Sequence, residues 1–183
     1  MQLYPLHTKR ACVIAAVFHF AAAEAKDQTS IFWDTIEKLS GGPEDRVQML
    51  EQIMSGWTME QRRAFGLQFY AAHNAALNWD LWGAGYLLNG GMSDDTFIDF
   101  RGWLISQGQK VYAEALRNPD SLAEVATPYE VTNEDFLYVA TDGVLATDRA
   151  EIKWPSEPSG SYWEEQDLSA RLPNIFALVE NAN

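Results

Sequence analysis

The feature that most constrains the fold is a series of helix start and stop signals, with apolar residues at helical spacing between them. Thr58-Met-Glu-Gln61 has the form of a capping box, in which side chain and backbone satisfy each other's free hydrogen-bonding groups. Ser93 is a preferred N-cap residue, and Phe97, Phe100 and Trp103 follow it at helical spacing. No segment of the sequence alternates convincingly between apolar and polar residues. We therefore predict an all-α fold, a single irregular domain of several helices.

Glycine, proline and capping residues predict where individual helices begin and end. Gly41-Gly42-Pro43 ends one helix, and its proline suits the first position of the next. Gly108 is expected to break or kink the helix that starts after Ser93. Asn133 or Thr132 is expected to cap a later helix.

Length and composition bound the class of protein. A chain of 183 residues corresponds to one ordinary domain and is long enough to bury a core without disulfides or metal. A hydrophobic fraction of 47% and an aromatic fraction of 13% exclude a disordered chain, a coiled coil and a collagen-like fibre. We assign residues 29–183 to a single helical domain and residues 1–28 to an N-terminal extension.

Two interpretations of the N-terminal extension remain open. A basic pair precedes the apolar run Ala11–Phe18, and an alanine-rich segment follows, which together resemble a secretory signal peptide. His19 interrupts this pattern, so the alternative is an apolar helix that belongs to the protein. We expect a cytoplasmic protein, with export as the alternative if residues 1–25 are a signal peptide. The single cysteine, Cys12, excludes an intramolecular disulfide.

The charge balance excludes two classes of partner and favours a third. The chain carries 26 acidic and 13 basic side chains, a formal net charge of −13. An acidic protein lacks the basic surface that nucleic acids and anionic membranes require, so we predict neither as a partner. From residue 111 onward there are 14 acidic and 4 basic side chains. This acidic C-terminal half could bind a basic protein partner, since complementary charge raises association rate and selectivity.

A group of polar and aromatic residues in the middle of the chain is the candidate site. The polar members are Asp80, Ser93, Asp94, Asp95, Asp99 and Arg101, and the aromatic members are Trp79, Trp82 and Trp103. In a structural interpretation, the three tryptophans are core residues whose indole N–H groups are hydrogen-bonded. In the same interpretation, Ser93, Asp94 and Asp95 form the N-terminus of a helix. Arg101 then forms an ion pair with Asp80 or Asp99 inside the protein.

A functional interpretation of the same residues is also open. Asp95 and Asp99 lie four residues apart and share a helix face, where two carboxylates can hold a divalent cation or act as acid and base. Arg101 would then bind an anion. No metal-ligand spacing, nucleophile motif or nucleotide fingerprint is present in the sequence, so we predict no metal site and no cofactor and assign no catalytic residue.

Residues spread along the chain, some of them in the candidate site, carry a resemblance to a known family. They comprise Phe32-Trp33, Leu81-Trp82, Gly90-Gly91, the segment Ser93-Asp94-Asp95-x-Phe97-x-x-Phe100-Arg101-x-Trp103-Leu104-Ile105-x-x-Gly108, Tyr112, Pro119-Asp120, Pro155, Pro158, Gly160, Trp163 and Leu172-Pro173. From about Ile31 to about Glu180 the chain resembles a bacterial family known as domain of unknown function 4240. The resemblance implies an intracellular, helical bacterial domain and supplies no activity.

Two functions from different classes follow from these observations. The first is a non-catalytic, acidic binding or regulatory protein, for example one that masks a basic toxin as an immunity protein or antitoxin does. The alternative is a small metal-assisted hydrolase or transferase that uses Asp94, Asp95, Asp99 and Arg101. The sequence favours the first, because it contains no recognisable catalytic set.

Overall fold

Helices make up the whole regular structure of residues 29–182, the part of the chain that the computed structural model describes. The α-helices are α1 (residues 29–36), α2 (Pro43–Ser55), α3 (Met59–Ala75), α4 (Trp79–Asn89), α5 (Asp94–Ser106), α6 (Gln109–Arg117), α7 (Glu134–Ala140), α8 (Ala146–Glu151), α9 (Leu168–Arg171) and α10 (Pro173–Glu180), with 3-10 helices at Pro119–Glu124 and Glu165–Asp167. Within the described range, β-pairing is limited to an isolated bridge between Asn78 and Ser159. The predicted all-α fold is confirmed.

The helix boundaries follow the local capping signals. The Thr58 hydroxyl accepts a hydrogen bond from the backbone N–H of Gln61 at 3.3 Å, and the Gln61 side chain accepts one from the Thr58 N–H at 2.9 Å. Ser93 caps α5 through the N–H of Thr96, and Asn133 caps α7 through the N–H of Phe136. Each cap satisfies a backbone group that the helix itself leaves unpaired, so these boundaries are set locally.

Gly108 separates α5 from α6, as predicted. Its φ angle of 102° lies in a region that residues with a side chain rarely adopt, so the chain turns there instead of continuing the helix. The turn brings the backbone N–H of Gln109 to 2.8 Å from a carboxylate oxygen of Glu37. That contact ties the start of α6 to the end of α1.

α5 runs through the hydrophobic core. Its residues Phe97, Phe100, Trp103 and Leu104 are all at least 96% buried. A ladder of ring contacts crosses from α4 into α5 through Trp79, Trp82, Phe97, Phe100 and Trp103, with centroid distances between 4.7 and 5.9 Å. Such offset contacts add to the stabilisation from burial alone. The three predicted tryptophans therefore belong to one packed aromatic ladder.

Asn133 joins α7 to α5 and α2. Its backbone N–H donates to the carbonyl of Asp99 at 3.2 Å, and its side-chain amide donates to the carbonyl of Pro43 at 3.1 Å. Gly102 permits this approach, because a β-carbon there would lie 3.2 Å from the Asn133 carbonyl oxygen. α5 and α7 consequently lie side by side with their polar faces on the same surface.

Several predictions concern residues outside the described range. The N-terminal extension, with its alternatives of an apolar helix and a signal peptide, covers residues 1–28 and lies outside that range, as does Cys12. Among the residues that are described, no helix combines the length and the apolar character needed to cross a membrane.

Candidate functional site

Asp80 lies on the first turn of α4, whereas the other carboxylates of the predicted group belong to α5. Its carboxylate is half exposed and lies 3.4 Å from the guanidinium of Arg171. Arg171 also donates hydrogen bonds to the carbonyls of Ser161 and Tyr162. Asp80 thus helps to attach the C-terminal segment to α4 and takes no part in a shared site with Asp95 or Asp99.

Arg101 is buried against α3. The side chain keeps 7% of its accessible surface. Its Nη1 donates to the carbonyl oxygen of His73 at 3.0 Å, its Nε donates to the carbonyl of Phe97 at 3.3 Å, and its Cζ lies 4.9 Å from the centre of the Phe97 ring. His73 belongs to the last turn of α3, whose carbonyls have no partner within the helix and carry the negative end of the helix dipole.

The predicted pairing of Arg101 with Asp80 or Asp99 is wrong. No carboxylate oxygen of residues 29–182 lies within 4.0 Å of the Arg101 guanidinium. The guanidinium extends from α5 toward the C-terminal end of α3. There it donates to a backbone carbonyl and not to the carboxylate that the sequence predicted. Burial without a counter-ion lowers the pKa of Arg101 to about 10.

A cavity of about 280 Å³ lies beside Arg101. Hydrophobic and aromatic side chains form most of its wall, including Leu77, Ile98 and Leu137. Tyr70 and Trp154 also line it and meet edge to face with a centroid distance of 5.2 Å. Besides Arg101, the polar lining of the cavity includes Asn74 and His73, both from the last turn of α3.

His73 is neutral in this environment. The ring is 5% exposed and stacks on Phe69 with a centroid distance of 5.6 Å. Burial, reinforced by the positive charge of Arg101, lowers the pKa of His73 to about 3. Its Nε2 lies 3.1 Å from the carbonyl oxygen of Ile98, which a neutral ring reaches by donating the Nε2–H. His73 therefore adds no positive charge to the cavity at neutral pH.

A second polar region lies on the outer surface of α5 and α7. We call Asp95, Asp99, Glu134, Asp135 and Tyr138 the acidic face. Tyr138 is 61% exposed, and its hydroxyl donates to a carboxylate oxygen of Glu134 at 2.9 Å. Burial, followed by the negative charges of Glu134 and Asp95, raises the pKa of Asp99. These carboxylates repel one another, and no described Lys or Arg forms an ion pair with any of them.

The remaining predicted carboxylate, Asp94, is exposed in the first turn of α5 beside Asp95. Arg101 extends from the same helix toward the core, so the four residues of the metal-assisted enzyme hypothesis do not converge on one point. Across residues 29–182, no three His, Cys, Asp or Glu side chains are grouped so that they could hold a metal ion.

A family profile described as "Protein of unknown function (DUF4240)" matches residues 28–143, more than half of the chain. The chain belongs to this family. The DUF4240 match contains α1 to α7, and with them Arg101 and the acidic face, whereas Trp154 of the cavity wall lies beyond its end. No curated protein and no solved structure matches the chain.

Within the DUF4240 region, the sequence analysis missed Glu134, Asp135 and Tyr138. A local signal for part of this group exists, because Glu134 and Tyr138 are four residues apart and so share a helix face. The pairing of that face with the one on α5 depends on how α5 and α7 pack, which no local pattern contains. The cavity residues Tyr70, Asn74 and Trp154 were missed for the same reason.

Proposed function

We propose that this DUF4240 protein is a non-catalytic binding protein whose acidic face engages a basic protein partner. The observation that carries the proposal is a cluster of carboxylates around the exposed ring of Tyr138 that form no ion pair with any described Lys or Arg. A regulatory role, such as that of an immunity or antitoxin-like protein covering a basic toxin, fits this surface. We also propose a cytoplasmic, bacterial setting, on the basis of the family resemblance.

The chemistry of the acidic face supports a cationic partner. Mutual repulsion among Asp95, Asp99 and Glu134 is relieved when a Lys or Arg side chain comes between them, and this relief favours the bound state. An exposed tyrosine adds a flat surface on which a guanidinium can stack. Aromatic residues are also enriched among those that dominate binding energy at protein interfaces.

A basic partner could be attracted by the net negative charge of the whole protein or by the acidic face in particular, and these two cases predict different effects of substitutions. If net charge alone attracts the partner, all exposed carboxylates contribute about equally. If the acidic face is the binding site, carboxylates elsewhere contribute little, because charges more than a Debye length of about 8 Å away are largely screened at physiological salt.

A pair of charge-matched variants separates these cases. The first variant carries Asp99→Asn, Glu134→Gln and Asp135→Asn. The control carries three substitutions at exposed carboxylates in other parts of the chain, Glu124→Gln, Glu157→Gln and Glu180→Gln. Both change the net charge by the same amount, so a difference between them reports position and not total charge.

The measurement is calorimetric titration with a tetra-arginine peptide at about physiological salt. We expect the acidic-face variant to bind the peptide at least about tenfold more weakly than the unaltered protein, and the control to stay within about twofold. Equal weakening in the two variants would show that net charge attracts the peptide and would contradict the proposal.

A further inference from the structure

We propose that the cavity beside Arg101 is a binding site for a small monocarboxylate with an apolar body, in which the guanidinium holds the carboxylate group. This site is separate from the acidic face and does not depend on the function proposed for that face. It gives the protein a small-molecule ligand in addition to a protein partner.

The positive charge of Arg101 is not balanced by any carboxylate of the described residues. A buried cation is costly unless it is paired, and the described residues supply it with carbonyl dipoles but no counter-ion. An anion that enters the cavity supplies the missing charge. Its binding is favoured because the guanidinium has already lost most of its water in the folded protein.

One nitrogen of the Arg101 guanidinium, Nη2, has no hydrogen-bond partner among the described residues. Nε and Nη1 donate to the carbonyls of Phe97 and His73, and no described residue accepts a hydrogen bond from Nη2. No fully buried side-chain nitrogen or oxygen of the described residues lacks a partner. Nη2 therefore retains some accessible surface, and because Arg101 lines the cavity, we infer that Nη2 faces it.

A second donor, Asn74, also lines the cavity. Asn74 is half-buried on the last turn of α3, lines the cavity, and makes no side-chain hydrogen bond with any residue in 29–182. Its amide nitrogen is available to donate to a carboxylate oxygen of a ligand in the cavity that Arg101 also lines. A carboxylate has two oxygens to accept such bonds.

The rest of the lining selects the body of the ligand. Leu77, Ile98, Leu137 and the rings of Tyr70 and Trp154 are suited to an apolar or aromatic group. Arg101 is the single charged residue of this lining, because His73 is neutral. One positive charge matches a monocarboxylate better than a phosphate dianion, whose second charge would stay unpaired in an apolar space.

The size of the cavity sets the size of the ligand. An apolar cavity of about 150 Å³ accommodates benzene. The cavity beside Arg101, at about 280 Å³, accommodates an aromatic ring with a carboxylate attached. Benzoate is therefore the probe, and benzamide, which has nearly the same shape without the charge, is its matched control.

The experiment titrates the full chain with benzoate, benzamide and inorganic phosphate in separate calorimetric runs. We expect benzoate to bind, benzamide to bind at least about tenfold more weakly, and phosphate more weakly than benzoate. This comparison uses the unaltered protein and needs no variant to fold. Equal binding of benzoate and benzamide, tightest binding of phosphate, or no binding of benzoate would each overturn the proposal.

Two variants test the residue assignment. Arg101→Met removes the guanidinium and should weaken benzoate binding at least about tenfold. Arg62→Met is the control, because Arg62 pairs with Asp142 and does not line this cavity; it should change binding less than about twofold. Asn74→Leu, at a half-buried position, should weaken binding independently of any change at Arg101.

Failure of this proposal is distinguishable from failure of the proposed function. The variant that neutralises Asp99, Glu134 and Asp135 should bind benzoate with the affinity of the unaltered protein. If Arg101→Met left benzoate binding unchanged, the carboxylate would have to bind elsewhere, and the assignment of the cavity would be wrong.

Discussion

Replacing Arg101 with methionine should leave the stability of the protein nearly unchanged, although the side chain is buried and charged. Methionine retains much of the apolar stem that packs between α5 and α3. The substitution loses the hydrogen bonds to the carbonyls of His73 and Phe97 and the contact with the Phe97 ring. It also removes a buried charge that has no counter-ion among the described residues.

These two effects are similar in size. Burial lowers the pKa of Arg101 from 12.5 to about 10, which corresponds to about 3 kcal/mol of unfavourable charge burial at neutral pH. Two hydrogen bonds from a charged donor contribute about 1.5 kcal/mol each, and the ring contact adds up to about 1 kcal/mol. The net change in the free energy of unfolding should therefore lie within about 1 kcal/mol of zero.

Urea unfolding of the unaltered protein and of the Arg101→Met variant measures this change in the free energy of unfolding. Leu104→Ala, at a fully buried position of the same helix, is the control that shows the range of the assay, with an expected loss of about 2–5 kcal/mol. Removing one partner of a buried ion pair typically costs about 3–5 kcal/mol. A loss of that size in Arg101→Met would mean that a carboxylate had been left unpaired, and it would refute the structural account of Arg101.

Two further predictions concern His73 and Asp120. The folded chain protonates His73 only near pH 3 and the unfolded chain near 6.5, so stability falls as pH falls, by about 2 kcal/mol between about pH 7 and 5. His73→Gln should remove this part of the pH dependence in urea unfolding, and an unchanged slope would contradict the assignment. The buried carboxylate of Asp120 accepts hydrogen bonds from the backbone N–H groups of Asn174 and Ile175 at the start of α10. Asp120→Ala should lower the free energy of unfolding by about 2–3 kcal/mol. The control, Glu124→Ala, should change it by less than about 0.5 kcal/mol. Equal effects of the two substitutions would show that Asp120 does not hold α10.

The helical fold could be predicted because its boundaries depend on residues close together in sequence. Capping by Thr58, Ser93 and Asn133 uses groups three residues apart, and the break at Gly108 depends on its own backbone conformation. Such interactions are determined locally, so the sequence pattern contains them.

The site could be predicted only in part, because the contacts that define it join distant segments. The sequence pattern drew attention to Arg101, but its partner is the carbonyl of His73, 28 residues away, and every residue type carries a carbonyl. Asp80 pairs with Arg171, 91 residues away. Sequence reasoning favours a carboxylate partner for a buried arginine, and it cannot anticipate that the end of a helix will take that place.

We propose that a basic partner binds to the acidic face of α5 and α7. The most direct test is amide NMR of the protein during titration with the tetra-arginine peptide, which locates binding residue by residue. We expect the largest chemical-shift changes at Asp99, Glu134, Asp135 and Tyr138. The largest changes at Glu164 to Asp167, or changes of equal size at all exposed carboxylates, would contradict it.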